Sequence, residues 1–421
     1  MFTFGSLLIL RRKYLRKQLL ARTMKFSVLQ QGPDESRLGN LSELWKDSEK
    51  IGDFQTPLCL LYSRAGSIPH LTNEVLQYLN KPIIPVVFPL PSIVGLIEPA
   101  KKYGHGIGKF VGLEEYPVYI SVQDPVEPAP SGYNDKSGIS VWSTGGRVRL
   151  NVDQFMAAVE SFRPAFYQVL CDSDTPQDSS RKRLTHSVER SLVHLDKCLE
   201  KHLRSDKLKN TAVFGSVVGG FSPDARKKSA MQTVLRPVDG FVIDGFHWNN
   251  SDLGLLNTFE QMLPILKETV TLLPSDKPRV LHGVLPPDMI LEAIKCGIDL
   301  FDASYAFAVT ERGGALMVPV SIGNSPGNIL IKDGLKPLNS HFKYEIDLKN
   351  EIYREDFSPI LEGCACYTCR QFSKAYIHHL LNTSEMLAFV LLMLHNLHNF
   401  LSFFSIIREL ISKGELDKLQ F

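Results

Sequence analysis

From about Thr56 to Arg312 short apolar runs alternate with amphipathic stretches, and that alternation leaves few folds open. The strand-like runs are Leu58–Tyr62, Ile83–Phe88, Ala165–Cys171, Ala212–Gly215, Gly240–Asp244, Arg279–Gly283 and Ile298–Asp302. Helical patterns separate the later ones, over Val152–Phe162, Thr185–His202, Asp252–Leu272 and Pro287–Lys295. Strands alternating with helices of this length imply a parallel sheet, and their number is compatible with an α/β fold of the (β/α)8 type, a TIM barrel. One such barrel with an insertion accounts for most of the 421 residues. Several runs end in polar or glycine-rich turns, among them Cys171-Asp172-Ser173-Asp174, Gly219-Gly220, Asp244-Gly245 and Asp302-Ala303-Ser304. Barrel ligands sit on the loops after the strands, so these turns are where a site is expected.

An apolar share of 44% is ample for a large core, and the charged share of 22% is ordinary. The net charge of +2 misleads, because Arg11, Arg12, Lys13, Arg16, Lys17 and Arg22 all precede Met24 in a segment without an acid. Removing those six from the 47 basic residues leaves 41 against 45 acidic ones. A nucleic acid would therefore have to be held by a local patch, since the field of the whole body does not attract it. The leader itself mixes apolar and basic blocks, as a targeting or membrane-surface segment does. Met24 would also serve as a second start, which makes residues 1–23 an upstream extension on the other reading. The expectation is a cytoplasmic protein without a transmembrane segment, the leader leaving open an attachment to the mitochondrial outer membrane surface. A second apolar stretch, Met386–Ile407, is interrupted by His395, Asn396, His398 and Asn399 and reads as a buried helix.

Seven cysteines, three of them clustered, do not form a secreted disulfide framework, and a reducing compartment fits better. The cluster is Cys364-Ala-Cys366-Tyr-Thr-Cys369, and His395 follows after 25 intervening residues. A disulfide would leave one thiol over. Three thiolates and an imidazole at such spacing suit the closed tetrahedral shell of one structural Zn2+ ion, which would pin a loop to a helix. The residues alone do not single out His395, because His398, His378 and His379 are also within reach.

Elsewhere Asp172, Asp174 and Asp244 stand at strand ends, as a base-recognising carboxylate would, although strand-end acids also cap the helix that follows. The runs Arg181-Lys182-Arg183 and Arg226-Lys227-Lys228 have the charge to contact phosphates, and runs of this kind are more often solvated helix ends. A Pro- and Ser-rich loop, Asp124–Gly138, and an irregular stretch, Gly323–Lys343, interrupt the pattern.

The chain resembles the tRNA-guanine transglycosylases, zinc-containing TIM barrels that exchange a guanine base in tRNA for queuine or a precursor. The likeness rests on the Cys364-x-Cys366-x-x-Cys369 knuckle with its distant histidine and on Ala375-Tyr376-Ile377-His378-His379-Leu380 just after it. Gly283-Val284, Pro287-Asp288 and Gly297–Asp302 follow the run that leads to the family's nucleophile, with Ser187–Ser191 and Val213-Phe214-Gly215 in order before them. It extends over roughly residues 56 to 413. By this resemblance the zinc ligands are Cys364, Cys366, Cys369 and His395, Asp302 matches the nucleophile, and Asp172 matches a base-recognising aspartate. The implied organisation is a leader over 1–23, a barrel over 24–340, and a zinc-binding subdomain with closing C-terminal helices over 341–421.

Departures from the family pattern bear on function. An active member carries an Asp-Ser-Gly-Gly-Phe-Gln turn whose aspartate is the general acid/base; here the strand Pro117–Asp124 takes that place and no such turn occurs. The Gly-Gly pair that contacts the base becomes Asp244-Gly245, and Val218 replaces a glutamine before Gly219-Gly220. After Asp302 a Pro-Thr-Arg turn becomes Ala303-Ser304-Tyr305. Base exchange needs a carboxylate to attack C1′ and a second acid to protonate the leaving guanine. Losing general acid/base catalysis alone costs about 10²–10⁴-fold. The resemblance therefore implies a non-catalytic subunit, with no catalytic residue assigned. It would pair with the catalytic queuine tRNA-ribosyltransferase subunit as a heterodimer and help orient tRNAs with GUN anticodons for exchange at the wobble position. Two other expectations stand beside it. One is an active transglycosylase using Asp302, with Asp124 or Asp174 as the second acid. The other is a zinc-stabilised barrel for another nucleobase or an unrelated protein.

Overall fold

The computed structural model describes residues 24–32, 34–44, 53–79, 83–246, 252–318 and 344–419. The basic leader and the stretch Gly323–Lys343 lie outside these residues. Ahead of the first apolar run the chain forms an antiparallel sheet that the sequence reading lacks: β1 (Lys25–Gln31), β2 (Arg37–Ser42) and β3 (Phe54–Thr56). Along β1 the residues alternate between exposed and half-buried, so the strand lies on the surface and gives only a weak apolar signal. A buried ion pair ties this sheet to the barrel. Arg37 in β2 forks onto Asp299 with its Nε at 2.7 Å and its Nη2 at 2.6 Å, and its remaining donors reach the carbonyls of Ser275 and Lys277. Such a planar fork matches a carboxylate bidentately.

The barrel strands are β4 (Leu58–Tyr62), β5 (Val86–Pro89), β6 (Val118–Ser121), β9 (Phe166–Gln168), β10 (Ala212–Val217), β11 (Gly240–Ile243), β12 (Arg279–Leu281) and β13 (Leu300–Asp302). All pair in parallel, and β13 closes the circle on β4 with Asp302 opposite Leu60. The expected (β/α)8 barrel is what the chain forms. Between β6 and β9 a hairpin intervenes, β7 (Ile139–Ser143) and β8 (Gly146–Leu150). The main crossover helices are α1 (Ile97–Tyr103), α2 (Val152–Phe162), α3 (Arg181–Arg204), α4 (Pro223–Val234), α5 (Asp252–Thr271) and α6 (Pro287–Lys295). After β13 comes α7 (Ser304–Glu311). Asn151 starts α2 with a capping box, its side chain accepting from the Gln154 amide while Gln154 reaches back, which is why that helix begins where the pattern places it.

Beyond α7, β14 (Gly314–Leu316) pairs with β15 (Glu345–Asp347), followed by α8 (Lys374–Asn382) and α9 (Met386–Lys413). With 28 residues, α9 is long and apolar enough to cross a membrane by composition, yet 72% of its most apolar window is buried inside the protein. Its first turns, through Leu392, join a separate apolar cluster with Leu348, Tyr353 and Ile377. From Met393 onward it belongs to the barrel core. Of the polar residues that interrupt it, His395, Asn396 and Asn399 each bond to a backbone group. Asn396 accepts from the Leu316 amide at 2.8 Å and donates to the Gly314 carbonyl, and Asn399 accepts from the Val318 amide.

Candidate functional sites at the strand ends and the cysteine knuckle

The ends of β6, β11 and β12, the turn after β9 and the Pro-rich loop surround an open cleft. Its walls include Gln123, Asp124, Asn134, Asp174, Asp244 and His282. The acids singled out from the sequence gather at or just behind this cleft, and each carboxylate is already engaged by the protein. Asp302 is buried: Oδ2 accepts from His282 Nδ1 at 2.9 Å and the Gly283 amide at 3.3 Å, while Oδ1 accepts from the Ser304 amide at 2.9 Å. A carboxylate can only accept, so His282 carries its proton on Nδ1 and its Nε2 faces the Tyr119 hydroxyl at 3.0 Å. The Tyr119 ring stacks on His282 and on Phe166, fixing the chain Tyr119–His282–Asp302.

Asp172 is buried beneath two arginines. Arg183 donates to both its oxygens at 2.8 and 2.6 Å, Arg190 adds a contact at 3.0 Å, and Asn134 one at 3.2 Å. Burial works against the carboxylate, but Arg183, Asn134 and Arg190 outweigh it and hold its pKa below the usual aspartate value. Asp244 accepts from Gln168 Nε2 at 2.6 Å and from the Gly245 amide. Asp174 accepts from the Gly132 amide at 2.7 Å, with Arg183 at 3.6 Å. Asp124 accepts from Tyr62 and the Val126 amide, and burial lifts its pKa to about 6. Gly219 is dictated by packing, since a Cβ would stand 2.7 Å from the Arg226 amide, and Gly220 by its left-handed backbone at φ +55°.

The basic runs divide. Lys182, Lys227 and Lys228 are exposed, but two of the arginines cannot reach a phosphate as the sequence allowed. Arg226 is wholly buried, donating to the carbonyls of Gly220 and Val217 with Phe246 stacked on its guanidinium at 3.6 Å. Arg183 is spent on Asp172. The sequence reading also missed His282, Tyr62 and Gln168, the residues that occupy the acids; each lies within or beside a barrel strand, where a lone polar residue has no spacing to betray it.

At the other end of the chain the structure brings Cys364, Cys366, Cys369 and His395 together, with their donor atoms within 4.8 Å of one another. Cys366 caps the short helix Tyr367–Gln371, Cys369 lies inside that helix, and Thr368 bonds to the Leu391 carbonyl on α9. His395 is fully buried on α9 and donates from Nε2 to the Leu316 carbonyl at 2.8 Å, so Nδ1 is the atom turned toward the sulfurs, at 3.9, 3.5 and 3.3 Å. Tetrahedral arms of about 2.3 Å to sulfur and 2.0–2.1 Å to nitrogen would give an edge of about 3.6 Å, so the donor set fits a tetrahedral metal ion. Burial pushes the imidazole down, but the neighbouring Cys364 and Cys366 sulfurs override it and raise its pKa to about 9. A metal cation would supply the positive charge instead, with the imidazole neutral and the thiols ionised. His378 is elsewhere, held between the Leu348 carbonyl and Asn382, and neither His379 nor His398 belongs to the cluster.

Comparison with known proteins agrees with this arrangement of barrel and knuckle. The family model described as queuine tRNA-ribosyltransferase matches residues 34–420. The chain belongs to the queuine tRNA-ribosyltransferase family. A tick protein from Ixodes scapularis named queuine tRNA-ribosyltransferase accessory subunit 2 is 49% identical over 392 residues, covering 92% of this chain and 97% of that protein. Proteins of the same name from Xenopus laevis and Homo sapiens are 40% and 38% identical, each covering 91% of this chain and 95% of its own length. Within the queuine tRNA-ribosyltransferase family, then, this chain is similar to proteins named for an accessory role, and its strand-end acids are bound up internally.

Proposed function

We propose that this chain is the non-catalytic accessory subunit of a queuine tRNA-ribosyltransferase, supporting guanine-for-queuine exchange at the tRNA wobble position by pairing with the catalytic subunit. The observation that carries this is the state of Asp302. The carboxylate that matches the family's nucleophile is buried and accepts from His282 and two backbone amides, in a barrel that is otherwise intact. A nucleophile needs an accessible lone pair and a partner acid at the leaving base. Of the alternative acids, Asp124 accepts from the Val126 amide of its own loop and Asp174 from the Gly132 amide of the Pro-rich loop. Losing both parts of the machinery leaves the fold useful as a scaffold for a partner and for tRNA. Cys364, Cys366, Cys369 and His395 would hold one structural Zn2+, which has no open position and so supplies cross-linking and no chemistry to the exchange.

Guanine exchange by the purified chain, by the catalytic subunit, and by the two mixed tests the reading. The expected result is no incorporation of labelled guanine by this chain alone, co-elution of the two subunits, and exchange on mixing. Incorporation by the isolated chain would overturn it. A cytoplasmic protein carried to the mitochondrial outer membrane by its leader remains our proposal for location, tested by fractionating cells that express the chain with and without residues 1–23.

A further inference from the structure

The β7–β8 hairpin has two unlike faces. Ile139, Val141 and Leu150 are buried, whereas Arg147 and Arg149 point outward on the opposite face. Arg147 stands directly across the ladder from Trp142, and Arg149 across from Ser140. Tyr133, 43% exposed, lies over the Arg147 guanidinium at 4.8 Å and meets Trp142 edge-on at 5.1 Å. Lys136 is exposed in the same turn. Between Tyr133 and Leu150 the only acid is Asp135, which pairs with Arg149, so three cations face one carboxylate on a body that is otherwise acidic. Arg147 donates from Nε to Ser140 and from Nη2 to the Tyr133 carbonyl; among the described residues its Nη1 has no acceptor. Asn134 and Ser140 also line the strand-end cleft, so this face borders its mouth.

We propose that this outward face, formed by Tyr133, Lys136, Trp142, Arg147 and Arg149, is an RNA-binding surface of the accessory subunit. Guanidinium groups two residues apart on one strand face lie roughly 7 Å apart, far enough to take separate phosphates. The exposed, arginine-backed ring of Tyr133 offers a plane on which an unpaired base stacks. A strongly anionic strand with unpaired bases is the occupant that the excess of cations and the exposed Tyr133 ring together complement. That the RNA is tRNA rests on the accessory-subunit reading; the hairpin's affinity for RNA does not.

Binding of a tRNA with a GUN anticodon, measured over a series of salt concentrations, tests this with the full chain alone and mixed with the catalytic subunit. Arg147→Glu/Arg149→Glu is expected to weaken binding at least tenfold and to lower the salt slope by about two. Arg147→Lys/Arg149→Lys should recover most of that loss, and Tyr133→Ala should weaken binding to the single-stranded loop while sparing a duplex of equal length. These positions are exposed, so melting of the variants should match the parent, and the lysine pair guards against a folding artefact. The proposal is overturned if the glutamate pair binds tRNA within twofold of the parent. It is equally overturned if that pair loses its partner subunit on gel filtration while its own RNA binding is unchanged, which would make the face a protein contact. Co-elution and restored exchange with the parent chain judge the accessory reading separately. RNA binding by the chain alone still decides the hairpin if that reading fails.

Discussion

Asp124 is held in the cleft wall at 6% exposure, and burial raises its pKa from 3.8 to about 6. Because the folded value is the higher one, the folded state holds this proton more tightly than the unfolded chain does. Stability is therefore lost as pH rises from about 4 to about 6, and at neutral pH the charge costs on the order of 2–3 kcal/mol. Asparagine keeps the oxygen that accepts from Tyr62 and Val126. Asp124→Asn should thus raise the unfolding free energy by about 1–2 kcal/mol at pH 7–8 and by nothing near pH 4, read from denaturant melts at both pH values. An equal gain at both would show that the charge is not the cause. Asp302 is the opposite case. Both its oxygens accept, and an amide nitrogen at Oδ2 would face the donors of His282 and Gly283. Asp302→Asn should destabilise the chain by about 1–3 kcal/mol and leave exchange by the mixed subunits intact. Loss of exchange with unchanged stability would mean that the carboxylate acts in the reaction. These roles were only half legible. Asp302 and Asp172 were visible as strand-end acids, but not the histidine and arginines that occupy them, because partners brought in from other strands and helices leave no local pattern in the sequence.

At the scale of elements, α9 is the joint between the two apolar clusters, and the cysteine knuckle fastens its first half. Leu391, His395, Asn396 and Asn399 all bond across to the knuckle or to the β14 segment, so this part of the helix is held by a cluster of polar contacts. A structural metal adds its binding energy to folding directly. Chelation, or Cys366→Ser, should release about one equivalent of zinc per chain, and amide exchange should then quicken over residues 364–395 while the barrel strands stay protected. Uniform loosening of the whole barrel would contradict a local fastening. The spacing of Cys364, Cys366 and Cys369 announced a metal cluster, and the apolar run announced a buried helix. Neither could choose among His378, His379, His395 and His398, since the choice depends on which helix face meets β14. The β7–β8 hairpin gives a weak signal for a related reason: Ile139, Val141, Val148 and Leu150 do alternate inward, but each strand has only five residues and its outward face is polar.

Over the whole molecule, what survives and what is lost obey different rules. The barrel is set by buried runs along eight strands, and those runs tolerate any polar residue that finds a partner at a strand end. The exchange reaction instead needs two acids left unsatisfied until substrate arrives, which is a demand on accessibility. Tyr62, His282, Arg183 and Arg190 meet the folding rule by supplying hydrogen bonds, and in doing so they remove the accessibility that chemistry requires. Unmasking one acid should accordingly not be enough. His282→Ala strips the largest side chain from Asp302 yet adds no second acid. The isolated variant is expected to incorporate no labelled guanine, while its mixture with the catalytic subunit exchanges at the parent rate. If the isolated variant turned over, the cleft would have to be a masked active site, with His282 as its sole brake, and the accessory role would rest on one side chain instead of on the loss of a paired machinery.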